Sequence, residues 1–253
     1  MALPGQGMRV GLFATCINDL MFPQTVRATV DLLRRLGCQV EFPPAQTCCG
    51  QMMTNTGYFK AALGSVRSFV KAFDKYDAVV AASGSCVASV RHQHTMLAGR
   101  VGSAKLEEQA RRSAAKTYDI TEFLVDVLGV VDVGAFFPHR VTYHPSCHST
   151  RLALIGERPY QLLRAVAGID LLDLPEAEQC CGFGGTFSVK NPDLSVALAS
   201  AKAANVMATG AEYLVAPDNA CLMNIGGILS RGRAGVKPIH LVEILAQTEV
   251  AAA

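Results

Sequence analysis

The sequence predicts an α/β fold of two pseudo-symmetric lobes, each a parallel sheet with covering helices and a cysteine cluster at the carboxyl edge of its strands. Three observations carry that expectation. Cysteines recur in a duplicated pattern: Cys16, then Cys48-Cys49-Gly50 after 31 residues, then Cys86 after 36 more; and Cys147, then Cys180-Cys181-Gly182 after 32, then Cys221 after 39. The repeat reaches beyond the cysteines, because Arg9-Val10 leads into Cys16 with the spacing by which Arg140-Val141 leads into Cys147. Short apolar runs alternate with helical segments in both halves, the order of parallel βα units. Two units of roughly 130 residues are too few and too long for a solenoid and are read as two domains.

In chain order, Arg9 to Phe13 is a short apolar strand ending just before Cys16. Pro23 suits the first turn of a helix whose apolar positions, Val26, Val30, Leu33 and Leu36, recur at helical spacing until Gly37. A strand from Cys38 to Phe42 runs into Pro43-Pro44 and the Cys48-Cys49-Gly50 loop, followed by a helix from Gly57 to Tyr76. Asp77 to Ala82 is the third strand, and Cys86 opens a helix running to Leu97. Helical segments Ser103 to Ala115 and Ile120 to Leu128 complete the first lobe, residues 1–130.

The second lobe, 136–253, repeats the order. A strand Arg140 to His144 precedes Cys147, a helix Tyr160 to Ala167 precedes a strand Ile169 to Leu174, and Cys180-Cys181-Gly182 precedes a helix Pro192 to Met207. A strand Glu212 to Ala216 leads to Cys221 and the last core helix, and Val236 to Ile239 with a terminal helix to Gln247 closes the chain.

Strands joined through helices pair in parallel, with right-handed crossovers. Every patterned cysteine then lies after a strand and before a helix, at the sheet edge where open α/β folds bind ligands. Four cysteines per half, Cys16, Cys48, Cys49 and Cys86 against Cys147, Cys180, Cys181 and Cys221, match the thiolates of a [4Fe-4S] cluster, one or two per chain. An adjacent Cys-Cys pair is unusual for tetrahedral zinc, whose thiolates come as Cys-x2-Cys knuckles, though zinc can substitute at such thiols. The turn Gly182-Phe183-Gly184-Gly185 offers close backbone approach and N–H donors, so Gly182, Gly184 and Gly185 are candidate cofactor-binding residues.

Half of the residues are hydrophobic and 17% are charged, a globular balance. The net charge of +2 gives no reason to expect nucleic acid or a polybasic membrane patch. No leader-like n- and h-region and no transmembrane segment is read, which predicts a cytoplasmic protein or one peripheral to the inner face of the membrane. In a reducing compartment the eight ordered cysteines argue for metal or redox chemistry over structural disulfides.

At these residues the chain resembles the cysteine-rich CCG-domain family, which includes the cysteine-rich subunit of heterodisulfide reductase and the iron–sulfur subunit of glycolate oxidase. Cys180 to Asn191, Tyr143 to Ser149 and Ser83-Gly84-Ser85-Cys86 are most similar to its lactate-utilisation group. The resemblance implies an iron–sulfur electron-transfer subunit that works with a ferredoxin-like iron–sulfur subunit and a third small subunit to oxidise L-lactate to pyruvate. Glycolate or another small 2-hydroxy acid is the alternative substrate. Where the heterodisulfide reductase subunit closes each repeat with Cys-x2-Cys, this chain holds Ser89 and Asn224, so a four-thiolate cluster is expected and heterodisulfide reduction is disfavoured.

Among other residues, His148 and Arg151 flank Cys147 and are candidate catalytic groups, a proton donor and a carboxylate partner. Lys190 and Asp218 carry the same question. His144 is read as a satisfied polar group, His92, His94, His139 and His240 as surface or boundary residues, and Cys38 as a core residue. Two other classes remain open: a zinc-binding interaction module, and a thiol–disulfide enzyme using the adjacent cysteines.

Overall fold

The structure is a computed structural model that describes residues 3–249. The chain divides into two compact units, Met1–Val130 and Val131–Ala253. Each contains a four-stranded, all-parallel sheet.

In the first unit the strands are β1 (Arg9–Leu12), β2 (Gln39–Glu41), β3 (Ala78–Ala81) and β4 (Thr117–Asp119), in the order β2-β1-β3-β4. In the second they are β5 (Arg140–Tyr143), β6 (Asp170–Leu172), β7 (Tyr213–Ala216) and β8 (Lys237–His240), in the order β6-β5-β7-β8. The chain leaves the first strand of each sheet toward one side and the third strand toward the other. The loops after those neighbouring strands therefore part and leave a crevice at the carboxyl edge, the topological switch point of an open α/β sheet. Cys16 and Cys86 follow β1 and β3, and Cys147 and Cys221 follow β5 and β7.

The central strands are buried on both faces, which is why Val79-Val80-Ala81 and Leu214-Val215-Ala216 read as unbroken apolar runs. Helix Phe59–Phe73 turns Ala62, Leu63, Val66, Phe69, Val70 and Phe73 inward at helical spacing, and Pro192–Ala208 does the same with Ser195, Ala199, Lys202, Ala203 and Val206. The inner cysteines belong to these cores. Cys49 and Cys86 pack with Phe13, Phe69 and Phe73, and Cys181 and Cys221 with Leu174, Leu214 and Ile225.

Four elements differ from expectation. β4 is an unforeseen strand between two helices, paired in parallel with β3. The helix after β3 begins at Gly84, two residues before Cys86, and runs through a π-helical stretch, Ser89–His94, into Thr95–Val101. Short helices Cys16–Met21 and Cys147–Arg151 start on the cysteines themselves.

Candidate metal centres

Each lobe brings its four cysteines together, and in the same sequence of neighbours. In the first lobe Cys16 Sγ lies 3.6 Å from Cys48 Sγ, Cys48 interacts with Cys49, and Cys49 with Cys86. In the second, Cys147 interacts with Cys180 and Cys180 with Cys181, and Cys181 Sγ lies 3.0 Å from Cys221 Sγ. The sets are graded from solvent to core: Cys16 is exposed, Cys48, Cys147 and Cys180 are half-buried, and Cys49, Cys86, Cys181 and Cys221 are buried. Cys38 is buried away from this pattern.

Local backbone explains how the thiols are aimed. Thr15 and Ser146, the residues before Cys16 and Cys147, have φ of 65° and 60° with extended ψ, a region other residues leave to glycine. The same strained turn at the same place in both lobes starts the following helix on the cysteine. Gly50 and Gly182 have φ of 81° and 83° and donate their N–H groups to Cys48 Sγ at 3.4 Å and Cys180 Sγ at 3.3 Å. A Cβ on Gly182 would meet the Ser195 carbonyl oxygen at 2.5 Å, so only glycine closes this turn. Gly184 and Gly185 also have positive φ, and Gly185 precedes the helix Thr186–Lys190.

Hydrogen bonds hold the cysteine loops to the sheet edge. Gln46 accepts from the Ala14 N–H at 2.9 Å and donates to the carbonyls of Leu12 and Pro43, each at 3.1 Å, tying the loop after β2 to the loop after β1. Beside it, a cavity of about 280 Å³ opens at Cys16, Cys48, Phe42 and Gln46. Cys49 and Cys181 are held by their carbonyls: His94 Nε2–H donates to Cys49 at 2.8 Å and Asn224 Nδ2 to Cys181 at 2.8 Å. Ser89 Oγ lies 3.4 Å from the Cys49 oxygen. Ser89 and Asn224, each three residues after the last cysteine of its set, thus flank the same carbonyl in the two lobes.

The thiols polarise one another. Hydrogen bonds from the neighbouring cysteines and from the glycine N–H hold Cys48 and Cys180 well below the ordinary thiol value. Their partners move the other way: Cys16 and Cys147 are raised by those same hydrogen bonds, and Cys49 and Cys181 by hydrogen bonds to their neighbours and by burial. Cys221 is lowered, chiefly by the hydrogen bond with Cys181 and further by His144.

The remaining candidates lie around the second set. His148 Nδ1 is 3.5 Å from Cys147 Sγ, and the exposed Arg151 donates to the Glu178 carbonyl at 3.3 Å, joining the helix Cys147–Arg151 to the loop before Cys180. Asp218 caps its helix by accepting from the Ala220 N–H at 3.1 Å, and Lys190 is exposed at the end of a short helix.

Several histidines are placed otherwise than expected. His94 and His240 are buried, not at the surface; burial holds His94 neutral, down to about 4, and His240 caps the helix Leu241–Ala246 through Nδ1. His144 is buried too, and its polar neighbours are thiols. Neither ring nitrogen has an oxygen or nitrogen partner among the described residues; the imidazole hydrogen-bonds with Cys221, and its ligand atom and the sulfurs of Cys181 and Cys221 all lie within 4.8 Å of one another. Lys202, fully buried, donates to the carbonyls of Glu176 and Ala177 beneath the same set. No sequence signal marked Lys202, whereas His144, three residues before Cys147, was legible as a neighbour but not as a buried one.

Residues 10–91 and 141–226 both match the family model described as CCG, a cysteine-rich domain. Lactate utilization protein A of Oceanobacillus iheyensis is 48% identical over 238 residues, 94% of this chain and 96% of the relative. The protein of that name from Geobacillus thermodenitrificans is 47% identical over 94% of this chain and 98% of its own length. The crystal structure of a hypothetical protein from Helicobacter pylori shares the fold, with a TM-score of 0.63 at 10% identity, over 97% of this chain but only 49% of its own.

Proposed function

This chain belongs to the cysteine-rich CCG-domain family, with relatives named lactate utilization protein A, and from that premise we propose that it is the iron–sulfur electron-transfer subunit of an L-lactate-oxidising system. The observation that carries the reading is the pair of four-thiol sets, each gathered at the carboxyl edge of its own parallel sheet.

The donor set fits an iron–sulfur cluster. Four thiols converge in each lobe, two of them rooted in the core, with glycine N–H groups already directed at sulfur. Cys16, Cys48, Cys49 and Cys86 would hold one [4Fe-4S] cluster and Cys147, Cys180, Cys181 and Cys221 the other. Once bound, such a cluster takes up and releases single electrons. The helices that begin at or just before Cys16, Cys86, Cys147 and Cys221 would offer the positive ends of their dipoles to such a cluster, and the buried Cys49, Cys86, Cys181 and Cys221 would hold it from the core side.

His148 and Arg151, at the outer edge of the second set, are the groups we assign to the carboxylate and hydroxyl of a small 2-hydroxy acid, L-lactate before glycolate. The chain would act with a ferredoxin-like iron–sulfur subunit and a third small subunit, in the cytoplasm or at the inner face of the membrane. Among the described residues no helix is long and apolar enough to cross a membrane.

The test is the iron, acid-labile sulfide and zinc content of anaerobically purified protein, with low-temperature EPR of its oxidised and reduced forms. About eight irons with matching sulfide supports the reading. Zinc without sulfide and no EPR signal overturns it in favour of a zinc-binding interaction module, the alternative that the grouping of His144 with Cys181 and Cys221 supports.

A further inference from the structure

The two lobes share a scaffold but differ in what stands behind the thiols. Phe13 and His144 are equivalent by register: each follows the first strand of its sheet, stands three residues before the first cysteine, and donates its backbone N–H to the third strand, to Val80 at 2.9 Å and to Val215 at 2.8 Å. The helices Phe59–Phe73 and Pro192–Ala208 are equivalent too, and counting ten residues from the start of each sets Phe69 against Lys202. In the first lobe the two positions form an edge-to-face aromatic pair, with ring centroids 5.1 Å apart. In the second they are an imidazole and an ammonium group, both buried.

The fold therefore does not require a histidine at position 144, since a phenyl ring fills the same place in the first lobe. Burying one away from oxygen and nitrogen partners is costly, and the imidazole is 1% exposed with a thiol, Cys221, as its hydrogen-bond partner. What lies within reach is a pair of thiols, mutually within 4.8 Å of the ring donor. Ligands held at about 2.0–2.3 Å around one tetrahedral ion are separated by about 3.4–3.8 Å, so the three groups need only small side-chain rotations to converge. Lys202, anchored on two carbonyls and close enough to Cys180, Cys181 and Cys221 to feel their charge, supplies the positive charge that a thiolate-rich centre calls for.

We infer that His144 is a nitrogen ligand of the second lobe's metal centre, coordinating beside Cys181 and Cys221, so that the two centres of the chain differ in donor set. The inference rests on the reading of each cysteine set as a metal centre and specifies what the second one binds with: thiolates plus imidazole, against thiolates alone in the first. The two centres are then unequal in donor set and so in electronic character, an imidazole nitrogen standing among the thiolates of the second only.

The experiment uses zinc alone, loaded anaerobically into the reduced full-length chain, read by zinc K-edge X-ray absorption and by competition with a chelator. The parent chain is expected to show sulfur at about 2.3 Å and an imidazole nitrogen at about 2.0–2.1 Å. His144→Phe, which copies the first lobe, is expected to lose the nitrogen shell and to weaken one of two zinc sites by at least about tenfold, the loss that even an outer-shell partner carries. His148→Ala controls for the other nearby imidazole and should leave the shell in place. A nitrogen shell and zinc affinity unchanged in His144→Phe overturn the inference, as does a second lobe that takes no zinc. Should the Phe variant fail to fold, His144→Cys decides, because it must exchange nitrogen for sulfur while keeping the ion. Zinc ligation requires neither iron nor sulfide, so failure of the iron–sulfur reading leaves this result standing, and the reverse holds.

Discussion

Gly182 and Gly57 have nearly the same φ, 83° and 84°, and different surroundings. A Cβ at 57 meets nothing within 4 Å, whereas one at 182 lies 2.5 Å from the Ser195 carbonyl. Alanine at 57 is thus expected to cost only the left-handed strain, about 1–2 kcal/mol, and alanine at 182 several kcal/mol together with loss of metal from the second lobe. Urea midpoints of the two variants measure the difference directly. Asp119 behaves differently. Its carboxylate caps the helix Ile120–Glu122, accepting from the Thr121 N–H at 2.8 Å and hydroxyl at 2.6 Å, while Oδ2 is buried without a partner among the described residues. Burial pushes it from 3.8 to about 7, with Glu122 adding to the rise and Thr121 and Arg91 opposing it. A raised carboxyl binds more protons folded than unfolded between those values, so its contribution to stability is greatest below pH 4 and declines as pH rises toward 7. Asp119→Asn keeps the cap and removes the titration. Unfolding free energies between pH 4 and 7.5 are expected to slope downward in the parent by a few kcal/mol in all, at no more than about 1.4 kcal/mol for each step of one in pH, and to be flatter in the variant.

At the scale of elements, what places a thiol is the loop that follows a strand, and these loops are tied by few bonds. Gln46 makes three of them, so Gln46→Ala leaves the Ala14 N–H and Leu12 carbonyl short of partners, at a cost of about 1–3 kcal/mol. The variant is expected to lose metal from the first lobe faster than the parent under a chelator, with the second lobe unaffected; equal loss from both would mean that Gln46 only stabilises the fold. Most of this scaffold was legible in the sequence, because apolar runs such as Ala78–Ala81 and Tyr213–Ala216 are bounded by turns and followed by cysteines. β4 was not, since Thr117-Tyr118-Asp119 is short, carries no apolar run, and follows its helix without a glycine or proline to mark the break. Its counterpart β8 is set off by Gly232 and Gly235, so that Val236 to Ile239 stood out as a separate segment though not as a strand. The four cysteines of each set were legible from spacing alone. His94 was not, because the π-helical stretch that turns it onto the Cys49 carbonyl has no periodic signature, and the burial of His144 depends on packing that its neighbours in sequence do not report.

For the whole molecule the consequence of duplication is that each cysteine set has its own sheet, its own switch point and its own core. Cys49 is packed among Phe13, Phe69 and Val87, and Cys181 among Leu174, Leu214 and Ile225. Every donor of a set comes from one compact unit, so damage to one set leaves the donors of the other in place. Cys49→Ser and Cys181→Ser remove a buried inner thiol from the first and second lobe, respectively, with little change in volume. Each is expected to lower iron and acid-labile sulfide from about eight to about four per chain, and the double variant to leave neither. The EPR spectra of the two single variants should sum to that of the parent, with lines that differ between them, because Phe13 and Phe69 stand behind one centre and His144 and Lys202 behind the other. A single substitution that empties both lobes would mean that the centres assemble as one unit. Two superimposable spectra would mean that the histidine and lysine do not reach the metal's electrons, although they share its lobe.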